Sequence, residues 1–229
     1  MENSHESNQL HFFTNNSDIL PKPHVITNLL PKLAQFDLMP TYGQEFNPNS
    51  GEKRQFIIMM SPDEKIRVEF QLRRIVIVSE ASSQQEFKGD AISILKKLYE
   101  IYPSKKGNRI SILNTRIYEG DLQEYSDLYK KLFTYHQADP FEWENQIAER
   151  ENIEGSEEVF NCISTIRRCQ ISAAFMNNGD ITDAIVNEID INTLPTKTEE
   201  RFDLNNSIQT YEKLFEKSGS SMSKLNRYF

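Results

Sequence analysis

From Gln55 to Glu80 the apolar and polar positions follow the rhythm of strands. Phe56 to Met60 is one apolar run and Ser61-Pro62-Asp63-Glu64 makes a turn. Ile66, Val68, Phe70 and Leu72 then alternate with Arg67, Glu69, Gln71 and Arg73. A two-residue period is that of a half-buried antiparallel strand, because successive side chains point to opposite faces. Ile75 to Val78 predicts a further strand, or the same one continuing past a bulge at Arg74. A helical period follows: Phe87, Ala91, Ile94, Leu95, Leu98 and Tyr102 share one face. Ser83 and Glu86 supply a capping box at its start, and Pro103 ends it.

The same reading extends along the chain. Residues 1–9 are polar and without period, which predicts a disordered leader, with a short strand from Leu10 to Thr14. Pro21 to Phe36 sets Val25, Ile26, Leu29, Leu30, Leu33 and Phe36 at helical spacing, with Pro31 expected to kink or split the helix. Arg109 to Tyr118 predicts a strand and Asp121 to His136 a second amphipathic helix. The charged stretch Pro140 to Glu154 predicts a short surface helix. Beyond Val159, Cys169, Ile171, Ala173 and Phe175 alternate up to a hairpin turn at Asn178-Gly179. The return strand holds Ile185, Ile189 and Ile191 inward, with Glu188, Asp190 and Asn192 outward. A last helix covers about Asn206 to Lys217, with a frayed tail from Ser218. Strands in hairpins with interspersed helices predict an α+β fold: antiparallel sheets with amphipathic helices packed on one face. The chain divides into two sheet-and-helix halves, 10–120 and 121–229, with one continuous domain as the alternative.

Composition narrows the chemistry. With 26 basic and 34 acidic side chains the net charge is -8. No apolar run reaches the ~18 residues of a membrane span, and the start lacks the basic and apolar regions of a signal peptide. Both observations predict a cytoplasmic protein. The eight glycines form no phosphate-binding loop, so no nucleotide cofactor is expected. His5, His11, His24 and His136 are scattered, and no HExxH or CxxC spacing predicts a metal. Cys162 and Cys169 are expected as reduced thiols in the core.

Three sets of charged residues remain. Asp63, Glu86 and Lys88 mimic the acid and acid-x-lysine spacing of a metal-dependent nuclease, whose carboxylates would converge on Mg²⁺. Against that reading, Glu86 is already explained as a cap. Arg73-Arg74, Lys105-Lys106 with Arg109, and Arg167-Arg168 are basic spots that a nucleic-acid-binding module would gather on one face. Glu142, Glu144, Glu149, Glu151, Glu154, Glu157 and Glu158 make a denser acidic block suited to a basic partner.

Three stretches carry a family resemblance. They are Phe56 to Asp63 leading into Ile66-Arg67-Val68-Glu69-Phe70, the strand Arg109 to Ile117 with Asn114 and Arg116, and Glu188-Ile189-Asp190-Ile191 with the closing helix Tyr211 to Glu216. In these the chain resembles a family of sporadically distributed, uncharacterised bacterial proteins of about this size. It departs from the family at the N-terminus, where a helical segment stands in place of a long first strand. The patchy occurrence of the family implies defence, immunity or mobile elements, and it brings no catalytic residues. The leading expectation is therefore a non-enzymatic interaction protein with a protein partner, an accessory or immunity component of an antiphage or conflict system. The alternatives are the nuclease and the nucleic-acid-binding module. Oligomeric state is left open.

Overall fold

The computed structural model describes residues 1–46, 48, 51–134, 138–173 and 179–229. Its centre is an antiparallel pair of long strands, β1 (Glu2–Thr14) and β6 (Lys106–Glu119). From β1 the sheet extends through β5 (Arg74–Glu80), β4 (Ile66–Gln71) and β3 (Lys53–Met60) to an edge strand β2 (Met39–Phe46). From β6 it extends through β9 (Thr182–Thr193) and β8 (Val159–Ile171) to the other edge, β7 (Trp143–Asn152). A two-residue strand, β10 (Phe202–Asp203), also pairs with β6, which completes ten antiparallel strands in one sheet.

The two sides of this centre repeat one topology. In each, a long central strand leads into a helix, the chain jumps to the far edge, and a meander returns strand by strand to the centre before a closing helix. The first unit runs β1, α1 (Pro23–Leu33), β2 to β5, α2 (Gln84–Ile101). The second runs β6, α3 (Leu122–Leu132), β7 to β9 and, after β10, α4 (Ser207–Leu225). The units meet between α2 and β6, and the sheet is continuous across residue 120.

All four helices pack on one face. Leu10 and Phe12 of β1, Ile110 and Ile112 of β6, Ile75 and Ile77 of β5 and Ile189 and Ile191 of β9 point to that face. They join Leu29 of α1, Phe87 and Leu95 of α2 and Tyr211 and Leu214 of α4 in one core. A smaller cluster on the same face seats Tyr125 and Leu128 of α3 against Tyr118, Ile166 and Ile185. The capping box of Ser83 and Glu86 is formed, and Asp121 with Glu124 makes a second one at α3.

The sequence reading needs correction at several elements. The leader expected over residues 1–9 is the first two thirds of β1, so a long first strand precedes the helix after all. Its polar residues are ordered because their partners are polar too. Asn114 donates from Nδ2 to Asn8 Oδ1 at 2.7 Å and Glu6 Oε1 at 2.9 Å, and Arg116 donates from Nε to Glu6 Oε2 at 3.1 Å. The charged stretch expected as a surface helix is β7, hydrogen-bonded from Trp143 to Asn152 with β8. As an edge strand it is wet on both faces, hence its charge. β2, with Pro40 and Gly43, is a strand with no expectation behind it. Pro31 sits in the last turn of α1 without splitting it. The tail expected to fray is helical, since Ser218, Ser221 and Met222 are buried and extend α4 to Leu225. His136 and the Asn178-Gly179 turn expectation lie at or across the edge of the described residues: His136 and Asn178 are outside them, and Gly179 has a φ of 86°.

Gly107 marks the tightest point of the central pair. A Cβ there would stand 2.6 Å from the Phe13 carbonyl oxygen and 2.8 and 2.9 Å from ring carbons of Phe12. Neither the backbone nor a fully buried ring can yield cheaply. Gly107→Ala is expected to destabilise the fold by ~1–3 kcal/mol, read as a melting temperature lowered by roughly 2–4 °C per kcal/mol. An unchanged melting curve would mean that β1 and β6 can part locally.

Candidate binding surface

The register that turns the core toward the helices turns a second set of side chains to the opposite face. Among the described residues no helix or strand lies over it. β1 contributes His5, Ser7, Gln9, His11 and Phe13 to this bare face. β5 contributes Arg74, Val76, Val78 and Glu80, and β9 contributes Ala184, Val186, Glu188, Asp190 and Asn192. Val76, Val78 and Val186 are buried here without a covering layer. Long polar neighbours lie over them and bond to one another, their apolar stems supplying the cover.

Two hydrogen-bonded chains of such side chains run inward from the two wings. On one side Glu80 accepts from Arg67 Nη1 at 3.1 Å, and Arg67 Nε donates to Glu69 at 2.9 Å. Gln71 Nε2 donates to Glu69 at 2.6 Å, and Gln71 Oε1 accepts from Arg74 Nε at 2.7 Å. Arg74 Nη1 then meets His11 Nδ1 at 3.3 Å, while His11 Nε2 lies 3.1 Å from Gln9 Oε1. An arginine can only donate, so Nδ1 is the acceptor and the proton sits on Nε2. His11 is neutral for the same reason. Burial, then the charges of Arg74 and Arg109, lower its pKa from 6.5 to about 4. On the other side Arg150 Nε donates to Asn161 Oδ1 at 3.0 Å, Asn161 to Asn192 at 3.2 Å, and Asn192 to Asp190 at 3.1 Å.

Between the ends of these chains stands Arg109. Phe13 is the register partner of both Arg74 on β5 and Arg109 on β6, so the three form one row across three strands. Arg109 lies over the Phe13 ring, its Cζ 4.7 Å from the centroid, and the other neighbour of that ring is His11, stacked at 6.0 Å and 17°. Among the described residues Arg109 donates no hydrogen bond and makes no ion pair. Its Nε is buried without an acceptor. Burial lowers its pKa, with Asp190 opposing and Arg74 adding to the shift. Asp190 is itself pushed up, first by burial. Elsewhere on this face Arg67 is paired with Glu69 and Glu80, and Arg167 with Glu188 at 2.9 Å. The row at Phe13 is where the charge pattern stays open.

Most of the basic residues singled out in the sequence come to this end of the sheet. Arg73, exposed in the turn between β4 and β5, lines a depression of about 190 Å³ with Phe13, Lys106, Asn108 and Glu200. An adjoining one of about 260 Å³ is lined by Thr14, Asp18, Tyr102, Lys105 and Lys106. Lys105 is committed there, donating to Asp18 at 2.5 Å and to the Asn15 carbonyl at 3.0 Å, and Lys106 pairs with Asp203 at 3.2 Å. Tyr102 is pushed up to about 12 by burial and by Asp18. Arg167 shares the bare face with Arg109 but pairs in the row of Ile117, eight residues and ~26 Å along the strand. Arg168 points to the helix face and is held by Asp183 at 2.7 Å.

The other sets stay apart. Asp63 accepts from Ser61 Oγ at 2.7 Å and from the Lys65 N–H at 3.2 Å, bonds that lower its pKa, and it lines a depression with Asp37, Glu80 and Asp90. Glu86 is held by Ser83 in the capping box, and Lys88 lines a different depression with Phe215 and Glu216. Among the described residues no three His, Cys, Asp or Glu side chains are grouped to hold a metal. The acidic block is split by the pleat of β7 and its approach. Glu142 precedes the strand, Glu144 lies on the bare face opposite Arg167, and Glu149 lies on the helix face opposite Cys162. Cys162 is in the core as expected, with Sγ 3.5 Å from Ser221 Oγ, but Cys169 is only half-buried because the pleat of β8 turns it to the bare face. No helix of the described residues is long and apolar enough to cross a membrane. No protein-family model and no curated protein matches the sequence.

Proposed function

We propose that this chain is a non-enzymatic interaction protein of the bacterial cytoplasm that presents the bare face of its sheet to a protein partner. The observation that carries this reading is the segregation of all four helices to one face. It leaves a broad, rigid surface of side chains pre-set by hydrogen bonds. Such a surface loses little side-chain freedom on binding, which favours recognition by polar contacts. Of the charged residues that would have to converge for nuclease chemistry, Asp63 is held in a turn and Glu86 in a cap, and Lys88 lines a separate groove. A role as accessory or immunity component in conflict with phage is the part of the proposal that rests on the family resemblance.

Site-specific photocrosslinking in the native host tests the reading. A photoreactive residue at Leu113 or Ile163, both on the bare face, is expected to give a discrete adduct of one mass. The same residue at exposed Lys96 of α2 or Glu212 of α4 is expected to give none. Adducts confined to the helix positions would overturn it.

A further inference from the structure

We infer that the row Arg74–Phe13–Arg109 is a carboxylate-binding notch, and that the segment it takes is an acidic peptide of the partner. The inference rests on the bare face being the interaction surface and names the chemistry recognised there. On that face Arg67 and Arg167 are matched to carboxylates of the chain itself, at Glu69 and Glu80 and at Glu188, and Arg150 on the edge strand donates to Asn161 between Glu149 and Glu151. Arg74 spends its bonds on the neutral acceptors Gln71 and His11, and Arg109 spends none. Arg73, exposed beside them, makes no ion pair among the described residues either, so three cations gather at one end of a protein of net charge -8. Like charges held this close repel, and a bound carboxylate relieves the repulsion. Planar guanidinium groups match a carboxylate through paired N–H donors. Asp190 on β9 pairs in the row of Leu113, four residues along β6 from Arg109, and its charge, felt at Arg109, disfavours an acid placed toward that row.

Nucleic acid fits the same end less well. Single-stranded binding needs aromatic faces for bases, and of the rings at this end Phe13 has His11 and Arg109 as neighbours while Tyr102 lies under Lys105. A run of phosphates would also need Lys105 and Lys106, which Asp18 and Asp203 already neutralise. The open charges are few and local, as a short acidic segment requires.

The test uses the full chain and a fluorescein-labelled peptide of alternating Glu and Ser, ten residues long, with a dT10 oligonucleotide beside it. Anisotropy is expected to show binding of the peptide, weakened at least tenfold by Arg74→Gln with Arg109→Gln and unchanged by Arg167→Gln. A readout in the folded wild-type protein accompanies it: the His11 ring nitrogens, followed by NMR, should titrate at higher pH with peptide bound, since the carboxylate offsets the two arginines. No peptide binding at millimolar concentration, binding indifferent to the arginines, an unmoved His11 titration, or tighter binding of dT10 would each overturn the notch. Crosslinks on the bare face with no peptide binding would sink the chemistry alone. Peptide binding with crosslinks only on the helices would sink the interaction-surface reading and leave the notch.

Discussion

Deleting residues 2–9 is expected to abolish cooperative unfolding of the whole chain, although this is the stretch that looks most dispensable. Those residues form the part of β1 that pairs with β6 from Glu119 to Leu113 and with β5 from Glu80 to Val78. Without them, among the described residues, the strands of the two wings are paired only through the stub Leu10–Thr14, leaving helix packing such as Phe87 on Phe215 to hold the rest. Asn114, almost fully buried, loses Glu6 and Asn8 as acceptors of its amide, and Arg116 loses Glu6. The Ser82 carbonyl loses the donor Asn8 Nδ2 at 2.9 Å, and the Ala81 N–H loses the Glu6 carbonyl at 2.7 Å. A buried polar group left unpaired costs ~1–3 kcal/mol, and several at once approach the ~5–15 kcal/mol that holds a domain folded. Circular dichroism and urea titration of the truncated protein should show loss of the single transition. A truncated chain that melts within about 2 °C of the full one would restore the disordered leader and remove β1 from the centre of the sheet.

The same residues show where sequence reading stops. Alternation in Ile66 to Leu72 and the apolar faces of α2 and α4 were legible because one side of each element meets a hydrocarbon core and the other meets water. In the first part of β1 both sides meet polar groups. Asn8 faces Asn114, and Ser7 faces Thr115, so the contrast that a period measures is absent. β7 hides for the opposite reason: with its edge and most of both faces wet, only Trp143 at its start packs on a core cluster and no apolar period is required. The candidate notch was half legible. Arg74 and Arg109 stand out as basic spots and Asp190 as an outward acid, but residues 13, 74 and 109 form one row only through the register of three strands, with Asp190 acting on Arg109 from β9. His11 and Phe13 carry a signal that could have found them, since they alternate with Leu10 and Phe12 and must face away from whatever those two bury.

His11 makes the protein sensitive to mild acid. Its folded pKa lies near 4, against 6.5 in an unfolded chain. A depressed histidine contributes stability that is fully present above 6.5, because neither state then binds the proton. As pH falls below 6.5 the unfolded chain takes up a proton that the folded one refuses. Stability drops with a slope approaching 1.36 kcal/mol per pH unit, until the folded state titrates too. The loss integrates to about 3 kcal/mol by pH 4. The charges facing the ring are Arg74 from β5 and Arg109 from β6, and Gln9 on its own strand is a neutral partner. Carboxylates with lowered pKa values, such as Asp203 and Glu80, add to acid lability only toward their own range below 4.5. Asp190, pushed up by burial, and the His5–Glu80 pair also lie on this face, so the comparison with a His11 variant is what isolates the histidine. Urea unfolding at pH 7 and pH 5 is expected to show about 2 kcal/mol less stability for the wild type at pH 5, and His11→Gln is expected to lack that difference whatever its absolute stability. Equal slopes in the two proteins would mean that the ring is not held neutral between the two arginines, and the notch would lose the repulsion that a bound carboxylate is meant to relieve.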